Sequence, residues 1–496
     1  MRFCIISVFA ALFAGVVAAP ASAGESLGAA VIRGSTIYDA AALFEIYKPH
    51  LGKPVDESTG TVIAESVRER YRQDGYSRPG VDIVDDGIRS GIVRITLREA
   101  SVSGVRINGS SGPHDERLQR LFDDVPDDSV MRPGDIREIV RQARRLPGLE
   151  VTLAARPDDT AASGYLLEVD SDFRRYSGSL TLTNRGTEQI GRYLALGSIS
   201  MNGPLGGVLG LRFASARNNR DYSSVGVFGR VPLADTDDDV LFSLSRASLA
   251  IESSGILVEQ DRRWNEVSIQ KALPNWQHRR LSLQVGILTE DLHVEHDGVF
   301  ARDEDIDGVE AALSMSWAEG RQQHSLRAEL ELGIVEIDVA GLPTHGYDFL
   351  IGRLQYVGLR SLTDALWLRW EGYGQHASER LPSIRQFKVG GGRIGRGFDA
   401  AALRGETGLG GKVELRRRLA DNLPVAGRLD TYGFYDIGAV WPEALPGRTS
   451  AATAGLGISF QSGMLAGYVE VAKPLTQPDA DGLREAGVFA EITGRF

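Results

Sequence analysis

The chain has 496 residues, with 55 Lys and Arg against 66 Asp and Glu, a formal net charge of -11. That acidic balance argues against a nucleic-acid binder, and the single cysteine, Cys4, near the start leaves the rest of the chain without disulfide or thiol chemistry. Beyond the N-terminal segment no apolar run approaches the roughly 20 residues of a helical membrane span. Abundant glycine, evenly spread charge and short alternating runs instead suit a secreted all-β chain, either water-soluble or an outer-membrane barrel.

Residues 1–23 read as a secretory signal peptide. Arg2 is followed by an apolar run to Ala19, then by Pro20 and the small-residue site Ala21-Ser22-Ala23. Loss of Arg2 with this segment leaves 54 basic residues against 66 acidic, 12 net negative.

The next stretch contains a repeat. Val31 and Val105, Thr61 and Asp135, and Val93 and Leu167 are each 74 residues apart, so two small α+β modules follow in tandem, 24–99 and 100–173. In the first, Ile63, Val67 and Tyr71 mark one face of a helix that Gly75 ends. Strands at 81–84 and 91–97 follow, joined through Asp86-Gly87 as a hairpin. In the second, Asp135-x-x-Glu138 reads as a capping box over a stripe of Ile136, Val140 and Ala143, before strands at 151–155 and 165–170. Both modules run strand, two helices, two strands.

From 174 to 496 the pattern has period two. Leu326, Ala328, Leu330 and Leu332 alternate with Arg327, Glu329 and Glu331, which sets one face to lipid and the other to water. About sixteen such runs fit between 175–184 and 487–496, an even number that suits closure of a membrane β-barrel of antiparallel strands. Long connections are expected at 251–263, 292–305, 377–408 and 474–486, all after odd-numbered strands and therefore on one side. The last strand ends on Phe496, with Ile492 and Val488 on its face. Trp367, Trp370 and Tyr373 read as interfacial aromatics.

The connection 377–408 is dense in glycine and carries Arg396-Gly397-Phe398. Farther on, Phe434-Tyr435-Asp436-Ile437-Gly438 places one acid inside strand territory. A buried carboxylate or guanidinium there needs a partner or a wet lumen. Gly390-x-Gly392-x-x-Gly395, with Glu414 about 20 residues on, also matches the dinucleotide fingerprint, but the alternating flanks offer no βαβ unit. His293-Val294-Glu295-His296 lacks the spacing of a helical zinc motif, and Asp303-x-Asp305-x-Asp307-Gly308 reaches Ser314 where a calcium loop needs glutamate. Neither a Gly-x-Ser-x-Gly elbow nor a phosphate loop is present, so the reading is of no metal, no cofactor and no enzyme.

These motifs resemble the outer-membrane transporters of two-partner secretion, the ShlB/FhaC/HecB-type TpsB family. In that family an Arg-Gly-aromatic loop tip meets the acid of an F-x-D-x-G strand, which here are Arg396, Gly397 and Phe398 with Phe434, Asp436 and Gly438. The stretch from Arg70 to Tyr76, leading to Asp86-Gly87 and 92–99, is similar to a POTRA domain. The resemblance implies periplasmic modules that capture an unfolded, TpsA-like exoprotein, and a barrel in the outer-membrane lipid of a Gram-negative bacterium that secretes it without ATP. It implies that loop 377–408 folds into the barrel, with Lys412, Glu414, Arg416 and Arg418 along a wet path, and that Phe496 is a recognition signal for the barrel assembly machinery. An insertase, or a passive porin, is the alternative. Two departures are noted: only Gly24 to Ala30 precede the first module, where relatives carry a plug helix, and Gly395 replaces a common valine. Looser packing and a leakier pore are expected.

Overall fold

The computed structural model describes residues 26–496 apart from 57, 85–90, 124, 126–127, 159–163, 188–189, 218–221, 234–237, 254, 277–278, 425–426, 445–446 and 477–484. Segment 1–23, read as a signal peptide, and Asp86-Gly87, read as a hairpin turn, lie outside the described residues. The chain forms an N-terminal unit ending at Asp172 and a barrel unit from Phe173 to Phe496.

The N-terminal unit holds the repeat. Its first module comprises β1 (Ala29–Arg33), α1 (Ala40–Tyr47), α2 (Thr59–Gln73), β2 (Gly80–Val84) and β3 (Ile92–Arg98). Its second comprises β4 (Ser101–Gly109), α3 (Asp115–Asp123), α4 (Pro133–Ala143), β5 (Leu149–Pro157) and β6 (Gly164–Phe173). Their sheets run β1-β3-β2 and β4-β6-β5, with the first strand parallel to the last in each. A parallel pair needs a crossover connection, which the helices supply.

Ile63, Val67 and Tyr71 are fully buried and pack against Val93, Ile95 and Leu97 of β3. Gly75 adopts φ 85°, and Tyr76 and Gly75 donate their N–H groups to Tyr71 and Arg72 carbonyls at 2.8 and 3.1 Å, a Schellman stop. The capping box at Asp135 is corrected. Helix α4 starts at Pro133, with Arg132 as a cap that makes no side-chain bond, so Asp135 is a first-turn acid. Proline is favoured there because that N–H has no helical acceptor.

The barrel unit closes sixteen antiparallel strands in chain order. They begin with β7 (Tyr176–Thr183), β8 (Leu194–Asn202), β9 (Val208–Ala216), β10 (Tyr222–Pro232), β11 (Asp239–Ser253) and β12 (Ile256–Trp276). Next come β13 (Arg279–His296), β14 (Val299–Glu319), β15 (Gln322–Val339), β16 (His345–Ser361) and β17 (Leu366–Ala377). A two-stranded insert, β18 (Phe387–Val389) and β19 (Leu403–Gly405), precedes β20 (Thr407–Leu423). β21 (Gly427–Trp441), β22 (Thr449–Ser462), β23 (Leu465–Pro474) and β24 (Gly487–Arg495) complete the wall.

Alternation separates the two faces. On β15, Leu330, Leu332 and Ile334 are more than half exposed, while Glu331 and Val335 are 1% and 0% exposed. The apolar outer face and buried charged inner face are what a lipid-embedded, polar-filled barrel requires. Closure joins β24 to β7, where Phe496 and Gly178 exchange backbone hydrogen bonds of 3.1 and 3.0 Å. Phe496 itself stays 61% exposed.

Two expected long connections are instead tall hairpins. β11 and β12 pair as far as Ser253↔Ile256, and β13 and β14 turn at Asp297-Gly298, where φ is 51° and 74°. An Asp-Gly pair with positive φ at both residues forms the tight turn that matches strand twist, so alternation continues through the segment taken for loop. The aromatic set also divides. Trp370 shares the outer parity of Leu354 and stacks edge-on to His324, whereas Tyr373 is buried inside and donates to Glu371. Trp367, on that same inner parity, lies under Arg428 and Arg418 at 4.8 and 5.6 Å.

Candidate functional site in the barrel lumen

The connection between β17 and β20 lies against inward-facing wall positions and stands on two apolar footings. Leu381 and Ile384 pack with Leu288, Ile306, Val335 and Phe349 of β13–β16. Val389, Ile394, Phe398 and Leu403 pack with Tyr373, Val440 and Ala451 of β17, β21 and β22.

The glycines make the reversal between β18 and β19 possible. Gly390, Gly391 and Gly395 have φ of 113°, 82° and 83°, values that L side chains rarely adopt. The Gly390 and Gly391 N–H groups donate to Ile394 and Phe398 carbonyls at 2.8 and 3.0 Å, and Phe398 N–H to Gly395 at 2.9 Å. The fingerprint spacing therefore serves a tight turn between antiparallel strands. Gly395 does not loosen the tip: its φ is one that valine would hold only under strain.

The turn presents Arg396, 6% exposed, to Asp436, 0% exposed, on β21. The Arg396 backbone N–H and Nε donate to Asp436 Oδ2 at 3.1 and 3.0 Å, and Nη2 donates to Oδ1 at 2.9 Å. Its Nη1 donates to Glu414 Oε2 of β20 at 3.0 Å and lies 3.6 Å from Glu470 Oε2 of β23. The guanidinium carbon sits 3.5 Å from the Phe434 ring centroid. One cation thus serves three carboxylates and an aromatic face, a combination that suits the planar, five-donor guanidinium and not an ammonium.

Close backbone contact explains the neighbouring glycines. A Cβ on Gly438 would fall 2.7 Å from Val389 Cγ2, one on Gly410 2.5 Å from Ile394 Cδ1, and one on Gly397 2.9 Å from Thr453 Cγ2. Phe398 is 3% exposed in the larger footing. All six loop and wall motif residues therefore meet at one place, whereas Phe496 lies at the strand seam.

Sequence reasoning missed two partners. Glu470 occupies the inner parity of β23, and Tyr432 Oη donates to it at 2.8 Å. Arg185, in the connection after β7, pairs with Glu470, donates to Tyr468 Oη at 2.8 Å, and lies 4.3 Å from the Phe489 ring. Their only signal in the chain is an acid on an inward position and an arginine just past a strand end. The lumen positions read as a wet path form ion pairs: Lys412 with Glu371 at 3.1 Å, Arg416 with Glu414 at 2.8 Å and Arg418 with Asp421 at 3.3 Å.

The motifs considered for metals have other roles. His293 lies 2.5 Å from Asp303 across the strand pair and 3.1 Å from Glu295 two residues on along β13. Asp303, Asp305 and Asp307 sit along the straight strand β14, which cannot wrap a cation as a loop does.

The family model described as Haemolysin secretion/activation protein ShlB/FhaC/HecB matches residues 166–460, more than half of the chain. This chain belongs to that family. The outer membrane transporter CdiB of Escherichia coli O6:K15:H31 is 22% identical to this transporter over 472 residues, 90% of this chain and 79% of the relative. The heme/hemopexin transporter protein HuxB of Haemophilus influenzae strain 86-028NP is 24% identical over 37% of this chain and 34% of its own. A solved structure of CdiB from Escherichia coli matches with a TM-score of 0.71 at 19% identity, covering 99% of this chain and 93% of that one. BamA from Haemophilus ducreyi lacking POTRA domains 1-3 matches at 0.54 and 13% identity, over 94% of this chain and 99% of that one. These likenesses concern the fold. The transporter is an outer-membrane β-barrel with periplasmic POTRA modules, and it secretes a partner exoprotein by the two-partner route.

Proposed function

We propose that the transporter captures its exoprotein unfolded at a sheet edge of the N-terminal modules and secretes it without ATP, with the Arg396 loop as the movable element of the lumen. The arginine shared among Asp436, Glu414 and Glu470 carries this reading. A barrel serving only small solutes leaves the two N-terminal modules without a purpose, whereas a path for a polypeptide needs both a capture surface and a closure that holds at rest. Strands β1, β2, β4 and β5 flank the central strands of their sheets, and an edge offers backbone donors and acceptors to an added strand. Because no nucleotide pool exists outside the inner membrane, the free energy comes from client folding at the cell surface, which withdraws the unfolded form by mass action. Residues 1–23 direct export, Phe496 addresses the chain to the barrel assembly machinery, and transport involves no catalysis by the chain itself.

The test is co-expression with the partner exoprotein, sought as a long β-helical product of the open reading frame neighbouring the transporter gene. Arg396→Ala abolishes its appearance in the medium while heat-modifiable barrel stays in the membrane. Undiminished secretion removes the loop from the mechanism.

A further inference from the structure

We infer that the lumenal loop is latched at two separate arcs of the barrel wall, and that its Arg385 end, not the Arg396 end, is the one that releases. Arg385 lies in the first part of the loop, beside the footing of Leu381 and Ile384. Its side chain is only 10% exposed, with Nη1 2.8 Å from Glu290 Oε2 on β13 and Nε 2.9 Å from Glu331 Oε1 on β15. Glu290 and Glu331 are 0% and 1% exposed. A guanidinium buried between two buried carboxylates of alternate wall strands is a second anchor, several strands away from β20, β21 and β23.

The two anchors differ in kind. Arg396 makes aligned hydrogen bonds, three of them to Asp436. Among the described residues Arg385 Nε and Nη2, Glu290 Oε2 and Glu331 Oε1 find no hydrogen-bond partner, so the guanidinium's hold on the two carboxylates is an ion contact without donor alignment. Aligned charge-assisted bonds hold direction as well as distance, whereas the Arg385 guanidinium contacts hold distance alone, and the aligned bond from the wall to this residue is a neutral one, Gln375 Nε2 donating to the Arg385 carbonyl at 2.9 Å. The carboxylates also differ in what remains after release. Glu290 keeps Arg262, and Glu331 keeps Arg353 Nη1 at 2.6 Å, so neither is left as an uncompensated buried charge when Arg385 departs. Asp436 is 0% exposed and takes three hydrogen bonds from the residue that would leave. The apolar contacts follow the same order, with two loop side chains on the Arg385 footing against five beside Arg396, Phe387 included.

Segment 378–386 therefore lifts first and swings about the Arg396 seat, opening the lumen along β13–β16 before the tip leaves the wall. Arg385 is a positioning residue in this scheme. The inference takes its purpose from the secretion reading, but its test follows loop position without any client, so the two can fail independently.

The probe is a single cysteine, Ser383→Cys, in a chain with Cys4→Ser, labelled in isolated outer membranes by a membrane-impermeant maleimide. Arg385→Ala raises the labelling rate at least about tenfold, an equilibrium shift of roughly 1.4 kcal/mol. Arg385→Lys returns it towards the parent rate, and Arg396→Ala with Arg385 intact leaves it at the parent rate. Planar-bilayer recordings of Arg385→Ala show more frequent openings. If Arg385→Ala gives no heat-modifiable barrel, Arg385→Gln of similar size takes its place. An unchanged labelling rate in the Arg385 variant overturns the second anchor. A rate raised as much by Arg396→Ala overturns the order of release.

Discussion

Arg396 holds Asp436 through its main chain and its side chain at once, with N–H, Nε and Nη2 all donating within 3.1 Å. Two side-chain bonds in fork geometry fix the guanidinium plane, and the backbone bond ties that plane to the turn behind it. The depth of the whole tip is therefore set by one carboxylate on β21.

Arg396→Lys keeps the charge and loses the fork, so it is not a conservative change here. Breaking a buried pair costs about 3 to 5 kcal/mol, because the remaining charge stays buried. Secretion by Arg396→Lys falls close to the level of Arg396→Ala, and Asp436→Asn behaves alike. Immunoblots of exoprotein in the medium, normalised to folded barrel, check this; a lysine variant that secretes normally refutes it.

Gly438→Ala forces a methyl to within 2.7 and 2.9 Å of the two Val389 methyls. Overpacking of this kind costs about 1 to 3 kcal/mol, and here it acts on the seat of the loop. Single-channel recordings then show higher leak conductance than the parent. Gly433→Ala on the same strand, whose nearest contact is Leu456 Cδ2 at 3.2 Å, leaves conductance unchanged.

Phe496 places a half-exposed ring over Gly178 at the seam, where a Cβ on Gly178 would lie 2.3 Å from the ring. Its backbone bonds to Gly178 survive substitution, so Phe496→Ala acts on assembly more than on the finished wall. A several-fold smaller heat-modifiable fraction in the outer membrane is the expected result, on the pattern for barrel-closing strands. An equal yield of folded barrel discards the signal role.

In the first POTRA module Glu99, 7% exposed, accepts from the Thr36 N–H and hydroxyl at 2.8 and 2.5 Å, from the Ser35 hydroxyl at 3.2 Å, and from the Tyr71 hydroxyl. Burial opposes its charge, yet these donors together outweigh burial and hold the carboxyl below its usual range. A depressed folded pKa contributes stability that is complete above the unfolded value and is lost as pH falls through the folded one. Glu99→Gln therefore destabilises the module by about 1 to 3 kcal/mol at neutral pH. At a pH below the depressed folded value the difference from the parent shrinks, since the parent carboxyl is then protonated as well. Pulse proteolysis in urea at the two pH values measures it, and a pH-independent difference contradicts the assignment.

Much of this architecture was legible because strands and helices impose short periods on the chain. The alternation around Leu330 located a barrel strand, the 74-residue offset located the two modules, and Ile63, Val67 and Tyr71 named a buried helix face. Strand ends were less legible. The Asp297-Gly298 turn prolongs β13 and β14 past the membrane band, where polar residues on both faces mimic a loop.

By itself the sequence determined the barrel, its strand number and the tandem modules, because each depends on local pattern; the meeting of Arg396 with Asp436 was implied by the resemblance of the two motifs to those of the family. Only the tertiary structure decided that Glu414 and Glu470 share that arginine, that Arg185 joins them across the closing seam of β24 and β7, and that Arg385 has its own seat on Glu290 and Glu331. Such contacts arise when closure brings inward positions of non-neighbouring strands around one loop. An inward carboxylate looks the same in the chain whether it meets water, a neighbour or a guanidinium from across the lumen.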